Sequence, residues 1–305
     1  MKAAVIGAGG VGGFLASVLA MKYDNVTLVA RGARGEAIKK NGLVMDSDQF
    51  GTVVTHPAIA ASVSELGEQD LIFVCVKNYS LDEVCQELKS VVKPETILMP
   101  VMNGVDPGER IRSAFPDNIV IDSLIYIISY SLEDYSIRHA SKFGVLPIGI
   151  MHPNEKEKKA VEAVYRYLLA AGAEVSIAED IQCEIWRKFI LNCSFNVATA
   201  RYNTTIGPLR EDPAKAQDFE ALTREAYELG LALGVNLKPE HLEYVIRRFY
   251  HEYAYDDSSS FQRDVADGKR TEIETFSGYV VKTAEKLGIE VPISKKYYRA
   301  LKERN

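Results

Sequence analysis

Short apolar runs of strand length alternate with segments of helical periodicity through the first 178 residues. Residues 71–76 are apolar at every position, which is typical of a strand buried on both faces of a parallel sheet. Residues 154–171 carry their charges on one side, as an amphipathic helix does. Strands interleaved with helices predict an α/β fold with a Rossmann-type doubly wound sheet. Strands are predicted at 2–6, 25–30, 43–45, 52–55, 71–76, 96–99, 136–139, 145–150 and 174–177, with a long β-rich stretch at 119–129. Helices are predicted at 80–91, 107–114 and 154–171, besides one after the first strand.

The pattern changes near residue 178, after which helical periodicity runs without a β-rich interruption. We therefore predict two domains, a nucleotide-binding domain over 1–178 and an all-helical domain over 179–305. The second domain is expected to carry the substrate-binding and catalytic side chains. Its helices are predicted at 180–200, 213–233, 239–253 and 261–287, with a polar link at 256–260.

The charge balance restricts the classes of partner. The chain of 305 residues has a formal net charge of −6 and 47% hydrophobic residues. A nucleic-acid partner and an anionic membrane are not expected for an acidic globular protein without a basic stripe. The four cysteines form neither a CxxC pair nor a metal-like cluster with histidine, so we expect no metal site, reduced thiols and a cytoplasmic protein.

A glycine-rich turn follows the first predicted strand. Its residues match GxGxxG, and the apolar segment beyond them reads as a helix, so the motif has the strand–turn–helix context of dinucleotide-binding sites. Glycine at these positions allows a tight turn, a close approach to a pyrophosphate and close helix packing, and free N–H groups face the phosphates. A turn that merely joins strand to helix is the alternative. The predicted cofactor contacts are Gly7, Ala8, Gly9, Gly10, Val11 and Gly12.

The tip of the second predicted strand is cationic. Arg31 stands where NAD-binding folds carry an acidic residue for the ribose 2′-hydroxyl. A guanidinium there would pair with a 2′-phosphate, which favours NADP(H) as the cofactor. An ordinary exposed arginine is the alternative interpretation, and contact by Arg34 is less expected.

Two further side chains follow predicted strands. Lys77 comes after 71–76 and Asn103 after 96–99. Ligands of open α/β sheets bind beyond the carboxyl ends of the strands, so both residues are candidates for cofactor contact. A plain Asn103-Gly104 turn and a solvated lysine are the alternatives.

A polar stripe is predicted on the first helix of the second domain. Lys188, Asn192 and Asn196 are four residues apart and are surrounded by apolar residues, so they lie on one helix face. They suggest a cleft with hydrogen-bond donors and one movable proton, although a solvated face with a Glu184–Lys188 pair is an alternative. The serines at 258–260 read as a linker or as a helix start.

These motifs resemble those of the ketopantoate reductases (2-dehydropantoate 2-reductases). The resemblance runs over nearly the whole chain. It is carried by GAGGVG at 7–12, VK at 76–77, NG at 103–104 with ER at 109–110, WRKFILNCSFN at 186–196, SSFQRD at 259–264 and TEIE at 271–274.

The resemblance implies NADPH-dependent reduction of 2-dehydropantoate to D-pantoate, on the way to pantothenate and coenzyme A. Lys188 would be the general acid, with Glu272 in the same catalytic site. Lys77 would lie beside the cofactor. Asn103, Asn192, Asn196 and Ser260 would bind the substrate, and Asn103 would also lie near the nicotinamide.

Ser80 and Met102 depart from residues common in that family, so the identity of the 2-keto acid is less constrained than the reaction. A reductase of another 2-keto acid and a non-catalytic NADP(H)-sensing module are the alternatives. The sequence leaves the oligomeric state open, and a homodimer is compatible with it. The sign of any shift in the pKa of Lys188 is also open, because burial lowers it and Glu272 raises it.

Overall fold

A computed structural model describes residues Met1–Glu303. The chain divides into two compact units, the first spanning Met1–Ile181 and the second beginning at Gln182. Each unit has its own buried core, and each is described separately below.

The first unit is built on a five-stranded parallel sheet. The strands are short and β-branched or apolar, and their burial on both faces explains why they read as continuous hydrophobic runs. Alternate residues of β1 enter two different cores, Ala3 and Val5 on one face and Ala4 and Ile6 on the other. The strand order is β5-β2-β1-β6-β7. The strands are β1 (Ala3–Ile6), β2 (Val26–Val29), β5 (Ala58–Ala60), β6 (Leu71–Val74) and β7 (Ile97–Pro100).

Helices cover both faces of this sheet. Phe14 and Leu15 of α1 (Gly10–Ala20) belong to the core on one face. Leu81 of α3 (Leu81–Leu88) and Ile111 of α4 (Pro107–Ala114) belong to the core on the other. The predicted doubly wound Rossmann-type sheet is confirmed. The remaining helices of this unit are α2 (Gly32–Asn41) and α5 (Glu155–Ala170).

Two smaller sheets, which the sequence did not separate from the main one, complete the first unit. The β-rich stretch predicted at 119–129 does not form one strand, because this run contacts three sheets in succession. Val120 bridges to Leu98 of the parallel sheet, Asp122–Ser123 pairs with β11, and Ser129 pairs with β10. The smaller sheets have the orders β4-β3-β10-β9 and β12-β11-β8. Their strands are β3 (Leu43–Ser47), β4 (Gly51–Thr55), β8 (Asp122–Ser123), β9 (Ser129–Ser131), β10 (Ile137–His139), β11 (Leu146–Gly149) and β12 (Val175–Ile177).

The second unit is helical, and no strand occurs in its described part, which ends at Glu303. The prediction of an all-helical C-terminal domain is confirmed. Its helices are α6 (Ile181–Tyr202), which starts at the last residue of the first unit, α7 (Ile206–Glu211), α8 (Pro213–Ala232), α9 (Pro239–His251), α10 (Ser260–Ala266), α11 (Tyr279–Leu287) and α12 (Pro292–Lys302).

The single helix predicted at 261–287 is wrong. α10 ends at Ala266, Gly268 adopts a φ of 62°, and the chain resumes as a π-helical turn, Glu274–Gly278, before α11. The left-handed conformation of Gly268 cannot continue a right-handed helix, so the segment breaks there. Residues 271–273 lie buried between the two pieces. Helices α7 and α12 were not predicted.

Within residues Met1–Glu303, no helix is both long enough and apolar enough to cross a lipid bilayer.

Candidate functional site

The glycine turn of the first unit packs tightly against neighbouring backbone at Gly7 and Gly12. Gly7 adopts a φ of 103°, and a Cβ there would approach the Cys75 carbonyl oxygen to 2.7 Å. A Cβ at Gly12 would collide with the Gly7 carbonyl oxygen, so a side chain would push α1 away from β1. Beside Gly9, no heavy atom of the described residues lies within 4 Å of an added Cβ, apart from its chain neighbours. The turn thus combines tight backbone packing with an open face, which fits a dinucleotide pyrophosphate.

Neighbouring strand and helix residues hold the carbonyl groups of this turn. Arg34 of α2 donates a hydrogen bond to the Ala8 carbonyl oxygen, and a second to the Ser131 hydroxyl at 2.8 Å. Ser129 donates to the Gly10 carbonyl oxygen at 2.9 Å, and a Cβ at Gly10 would collide with the Ser129 backbone. The sequence did not indicate the contacts of Ser129 and Ser131, because β9 is more than 100 residues from the turn. Val11 is the remaining predicted contact and is partly buried in α1.

Arg31 lies directly after β2 and already contacts carboxylates. Its Nη2 donates to both carboxylate oxygens of Glu87 at 2.7 Å, and its Nη1 is 3.6 Å from a Glu83 oxygen. Both glutamates belong to α3, four residues apart, which places them on one face of that helix. The Arg31 side chain is 54% exposed. Sequence reasoning found the arginine but not its two acidic neighbours.

Lys77 and Asn103 follow β6 and β7 at the same edge of the sheet. The strands β2, β1, β6 and β7 are neighbours and parallel, so their carboxyl ends place Arg31, the glycine turn, Lys77 and Asn103 along one edge. The Asn103 carbonyl oxygen accepts a hydrogen bond from the Asn78 amide at 3.3 Å. This edge is where an open parallel sheet binds a ligand.

Asn78 is a further residue of this edge that the sequence did not single out. It is buried, and its carbonyl oxygen Oδ1 accepts a hydrogen bond from Arg110. Arg110 also contacts Asp82 at 2.7 Å and Asp106 at 3.7 Å. Asn78 therefore connects the loop after β6 to the loop after β7 and fixes the position of the Asn103 backbone.

The polar stripe of the second unit lies on α6 as the spacing predicts. Lys188, Asn192 and Asn196 are consecutive turns apart on one face, and each asparagine is 7% exposed. Apolar packing fixes the rotation of the helix. Phe189 and Tyr279 form an edge-on aromatic pair with ring centroids 5.6 Å apart, so α6 packs on α11.

Glu272 lies close enough to Lys188 for its negative charge to affect the pKa of the lysine. Glu272 is a buried residue with 5% of its surface exposed, although glutamates are usually solvated. Burial lowers the pKa of Lys188 to about 8, and the Glu272 charge opposes that shift without reversing it. The sign that the sequence left open is therefore resolved, and burial is the larger effect. A lysine with a pKa near 8 can release and regain a proton close to neutral pH.

The two asparagine side chains on this face have uncommitted hydrogen-bonding groups. Within Met1–Glu303, neither the Asn192 amide nor the Asn196 amide hydrogen-bonds to a protein group. Buried polar groups in proteins are almost always hydrogen-bonded, so such amides are suited to a ligand. The Asn192 and Asn196 side chains can donate and accept beside the Lys188 ammonium group.

The two serines at the start of α10, Ser259 and Ser260, have different roles. Ser260 is the first residue of the helix and is exposed. Ser259 is buried, accepts a hydrogen bond from the Gln262 backbone N–H at 3.0 Å, and lies 2.8 Å from the Thr199 hydroxyl oxygen. Thr199 is three residues beyond Asn196 on α6. The Ser259–Thr199 hydrogen bond therefore fixes the start of α10, and hence Ser260, to the helix that carries the stripe.

Both parts of the chain match models of one protein family. Residues 3–152 match the model described as ketopantoate reductase PanE/ApbA, and residues 180–305 match the model of its C-terminal part. The chain belongs to the ketopantoate reductase family. The resemblance found in the sequence motifs is confirmed, and the protein is an oxidoreductase of a family whose members use NAD(P)H.

Relatives of this family align over nearly the full chain. The chain is 29% identical over 301 residues to an uncharacterized oxidoreductase of Bacillus subtilis, covering 99% of this chain and 98% of that protein. It is 25% identical to a 2-dehydropantoate 2-reductase of Pyrococcus horikoshii, covering 96% and 94% of the two chains.

Solved structures share the fold. A PanE/ApbA family ketopantoate reductase from Ralstonia eutropha has a TM-score of 0.91 at 25% identity, covering 100% of this chain and 98% of that chain. A D-mandelate dehydrogenase solved with NADH and anilino(oxo)acetate has a TM-score of 0.89 at 19% identity, with the same coverage. At that identity the likeness concerns the fold alone.

Proposed function

We propose that the protein reduces 2-dehydropantoate to D-pantoate with NADPH, in pantothenate and coenzyme A biosynthesis. The observation that carries the proposal is the α6 face, where a desolvated lysine with a pKa of about 8 adjoins a buried carboxylate and two uncommitted amides. Membership of the ketopantoate reductase family supports the same reaction.

In this proposal the first unit holds the dinucleotide. The N–H groups of the turn Gly7–Gly12 and the start of α1 bind the pyrophosphate, because the open face at Gly9 admits it and the helix start favours an anion. Arg31 binds the ribose 2′-phosphate, and Lys77 and Asn103 contact the cofactor from the loops after β6 and β7. When bound, the reduced nicotinamide supplies the hydride that adds to the ketone carbon.

Lys188 acts as the general acid in this proposal. As the hydride adds, the carbonyl oxygen gains negative charge, and the Lys188 ammonium transfers a proton to it. The lysine is left neutral and regains a proton from water. Its pKa of about 8 makes both steps accessible near neutral pH. Glu272 favours the ammonium form, so Lys188 stays protonated until it transfers its proton to the carbonyl oxygen.

The remaining polar groups orient the substrate in this proposal. Asn192 and Asn196 bind its carboxylate and hydroxyl groups, and Ser260 adds a hydroxyl from the start of α10. Asn103 contacts the carbonyl group. Fixed donors of this kind place the ketone for hydride transfer and lower the entropic part of the barrier. Ser259 and Thr199 act as positioning residues, because their hydrogen bond fixes the start of α10.

A reductase of another 2-keto acid is the second candidate function. The Bacillus subtilis relative at 29% identity is described only as an oxidoreductase, and Ser80 and Met102 depart from common family residues. The fold also occurs in a D-mandelate dehydrogenase solved with NADH and anilino(oxo)acetate.

One experiment tests both candidates. Purified protein is mixed with NADPH or NADH and with ketopantoate, pyruvate, 2-ketoisovalerate or oxaloacetate, and cofactor oxidation is followed by absorbance. We expect the highest kcat/KM for ketopantoate with NADPH. A higher kcat/KM for another keto acid selects the second candidate. Binding of NADPH without turnover of any acid contradicts both and identifies a sensing module.

A further inference from the structure

The charge around Arg31 is not that of a simple phosphate pocket. α3 places Glu83 and Glu87 beside the guanidinium. Both carboxylate oxygens of Glu87 accept hydrogen bonds from Arg31 Nη2 at 2.7 Å. Glu83 approaches Nη1 at 3.6 Å. Two negative charges therefore surround the one positive charge that lies directly after β2.

A 2′-phosphate and Glu87 compete for the same guanidinium. Both are anions, and both Glu87 oxygens accept from Nη2 of Arg31, so Arg31 has to release Glu87, at least in part, before it binds the phosphate through both of its terminal nitrogens. The released carboxylate stays nearby on α3 and repels a phosphate that carries a charge of about −1.5 to −2. A ribose 2′-hydroxyl meets no such repulsion, and carboxylates accept hydrogen bonds from this hydroxyl in NAD-binding folds.

We propose that Glu83 and Glu87 are specificity-determining residues that weaken the preference of this site for NADPH, so that NADH also binds. The proposal rests on the proposed function, in which Arg31 binds the 2′-phosphate. Glu87 acts more strongly than Glu83, because it is closer to Arg31 and its side chain is 32% exposed against 66% for Glu83. The Arg31–Glu87 pair is open to solvent, so it rearranges at small cost and its effect decreases with salt.

The test compares Glu87→Gln with Glu162→Gln. Glu162 is a matched control because its carboxylate also lies 2.7 Å from an arginine, Arg166, in the same unit, on a helix that packs on β11 and β12. Dissociation constants of NADPH and NADH are measured without substrate from nicotinamide fluorescence, at low and at high salt.

We expect Glu87→Gln to tighten NADPH binding roughly three- to tenfold, the size of one screened interaction between a carboxylate and a phosphate. NADH binding should change less than twofold or weaken, and Glu83→Gln should show the same trend with a smaller change. The gain should shrink at high salt, and Glu162→Gln should leave both constants unchanged. A ratio of the two constants that stays within twofold of wild type in Glu87→Gln overturns the proposal, as does an equal change for both cofactors.

The binding assay separates this inference from the proposed function. If wild type binds NADPH but does not reduce ketopantoate, only the reaction assignment fails, and the Glu87 comparison still decides the specificity inference. If no variant binds either dinucleotide, both fail. Melting temperatures of all variants exclude a folding defect as the source of any change.

Discussion

Two cations of this protein lie beside glutamate, and their surroundings give them different properties. Lys188 on α6 is desolvated near the buried Glu272, and burial lowers its pKa to about 8. Arg31 after β2 is half exposed and contacts Glu83 and Glu87 through solvent-accessible ion pairs. Burial makes the charge of the lysine changeable near neutral pH, whereas solvent exposure makes the ion-pair partners of the arginine exchangeable. The first arrangement suits proton transfer, and the second suits discrimination between ligand charges.

The largest expected effect is on kcat, and it comes from removing the proton-donating lysine. Lys188→Ala should lower kcat by roughly 10²–10⁴, the usual contribution of a general acid, because the carbonyl oxygen loses its proton donor. Steady-state kinetics with ketopantoate and NADPH measure this. Lys282→Ala is the control, since Lys282 is an exposed lysine of the same unit paired with Glu274. A kcat of Lys188→Ala within a few-fold of wild type would remove Lys188 from the role of acid.

Burial of the lysine should also reduce the stability of the fold. The free energy of unfolding of Lys188→Met minus that of wild type should fall by roughly 1–3 kcal/mol between pH 7 and about pH 10.5, because each unit of lowered pKa is worth about 1.4 kcal/mol and the Lys188 pKa falls from 10.5 to about 8. Urea unfolding at several pH values measures this.

The pH dependence of that stability difference has a definite sign. Below pH 8 both folded and unfolded states carry the protonated lysine, so the destabilisation by burial is fully present. Between about pH 8 and 10.5 the unfolded state binds more protons than the native state, so wild-type stability rises relative to Lys188→Met. A difference that stays constant, or that grows with pH in this range, contradicts the assignment of a desolvated lysine.

The pH profile of activity tests the contribution of Glu272. In wild type, kcat/KM for reduction should decline as pH rises through about 8, because Lys188 loses the proton it donates. Glu272→Gln removes the charge that favours the ammonium, so the decline should move to a pH lower by about one to two units. Glu285→Gln on the exposed face of α11 should leave the profile unchanged. A shift to higher pH would show that Glu272 does not act through this charge.

The smallest expected effect concerns Arg31. Arg31→Gln should weaken NADPH binding about tenfold, because a charge-assisted phosphate contact is lost, while NADH binding changes little. The free energy of unfolding should change by less than about 1 kcal/mol, since the ion pairs of Arg31 are exposed. Fluorescence titration and urea unfolding measure the two quantities. Equal weakening for both cofactors would place Arg31 away from the 2′-phosphate.

Local patterns of the sequence were sufficient for much of the fold. The apolar runs at β1, β6 and β7 and the periodicity of α5 and α6 predict elements that the structure contains. The β-rich stretch at 119–129 could not be divided into strands from the sequence, because its partners lie in three sheets, which no local pattern specifies. The break after α10 had a local signal, the Asp267-Gly268 dipeptide, that was given too little weight against the helical periodicity around it.

In the candidate site, too, local sequence patterns predict the placement of residues along one element but not contacts between distant segments. The four-residue spacing of Lys188, Asn192 and Asn196 predicts one helix face, and they lie on one face of α6. The pKa of Lys188 was not predictable, because burial and Glu272 act in opposite directions and their balance depends on coordinates. The carboxylates beside Arg31 are 52 and 56 residues away in sequence. Their approach depends on how α3 packs, not on any motif.

The wide turn Glu274–Gly278, which follows Glu272 almost directly, has a consequence for insertions and deletions. A π-helical turn contains about one residue more than an α-helical turn, so removing one residue would allow ordinary α geometry. The chain before it would then rotate by about 100° relative to α11, since each helical residue subtends that angle. The carboxylate of Glu272 would turn to a different side of the chain. Its direction toward Lys188 therefore depends on the length of this segment, and shortening it by one amino acid should disconnect the pair even if every side chain of the site is kept.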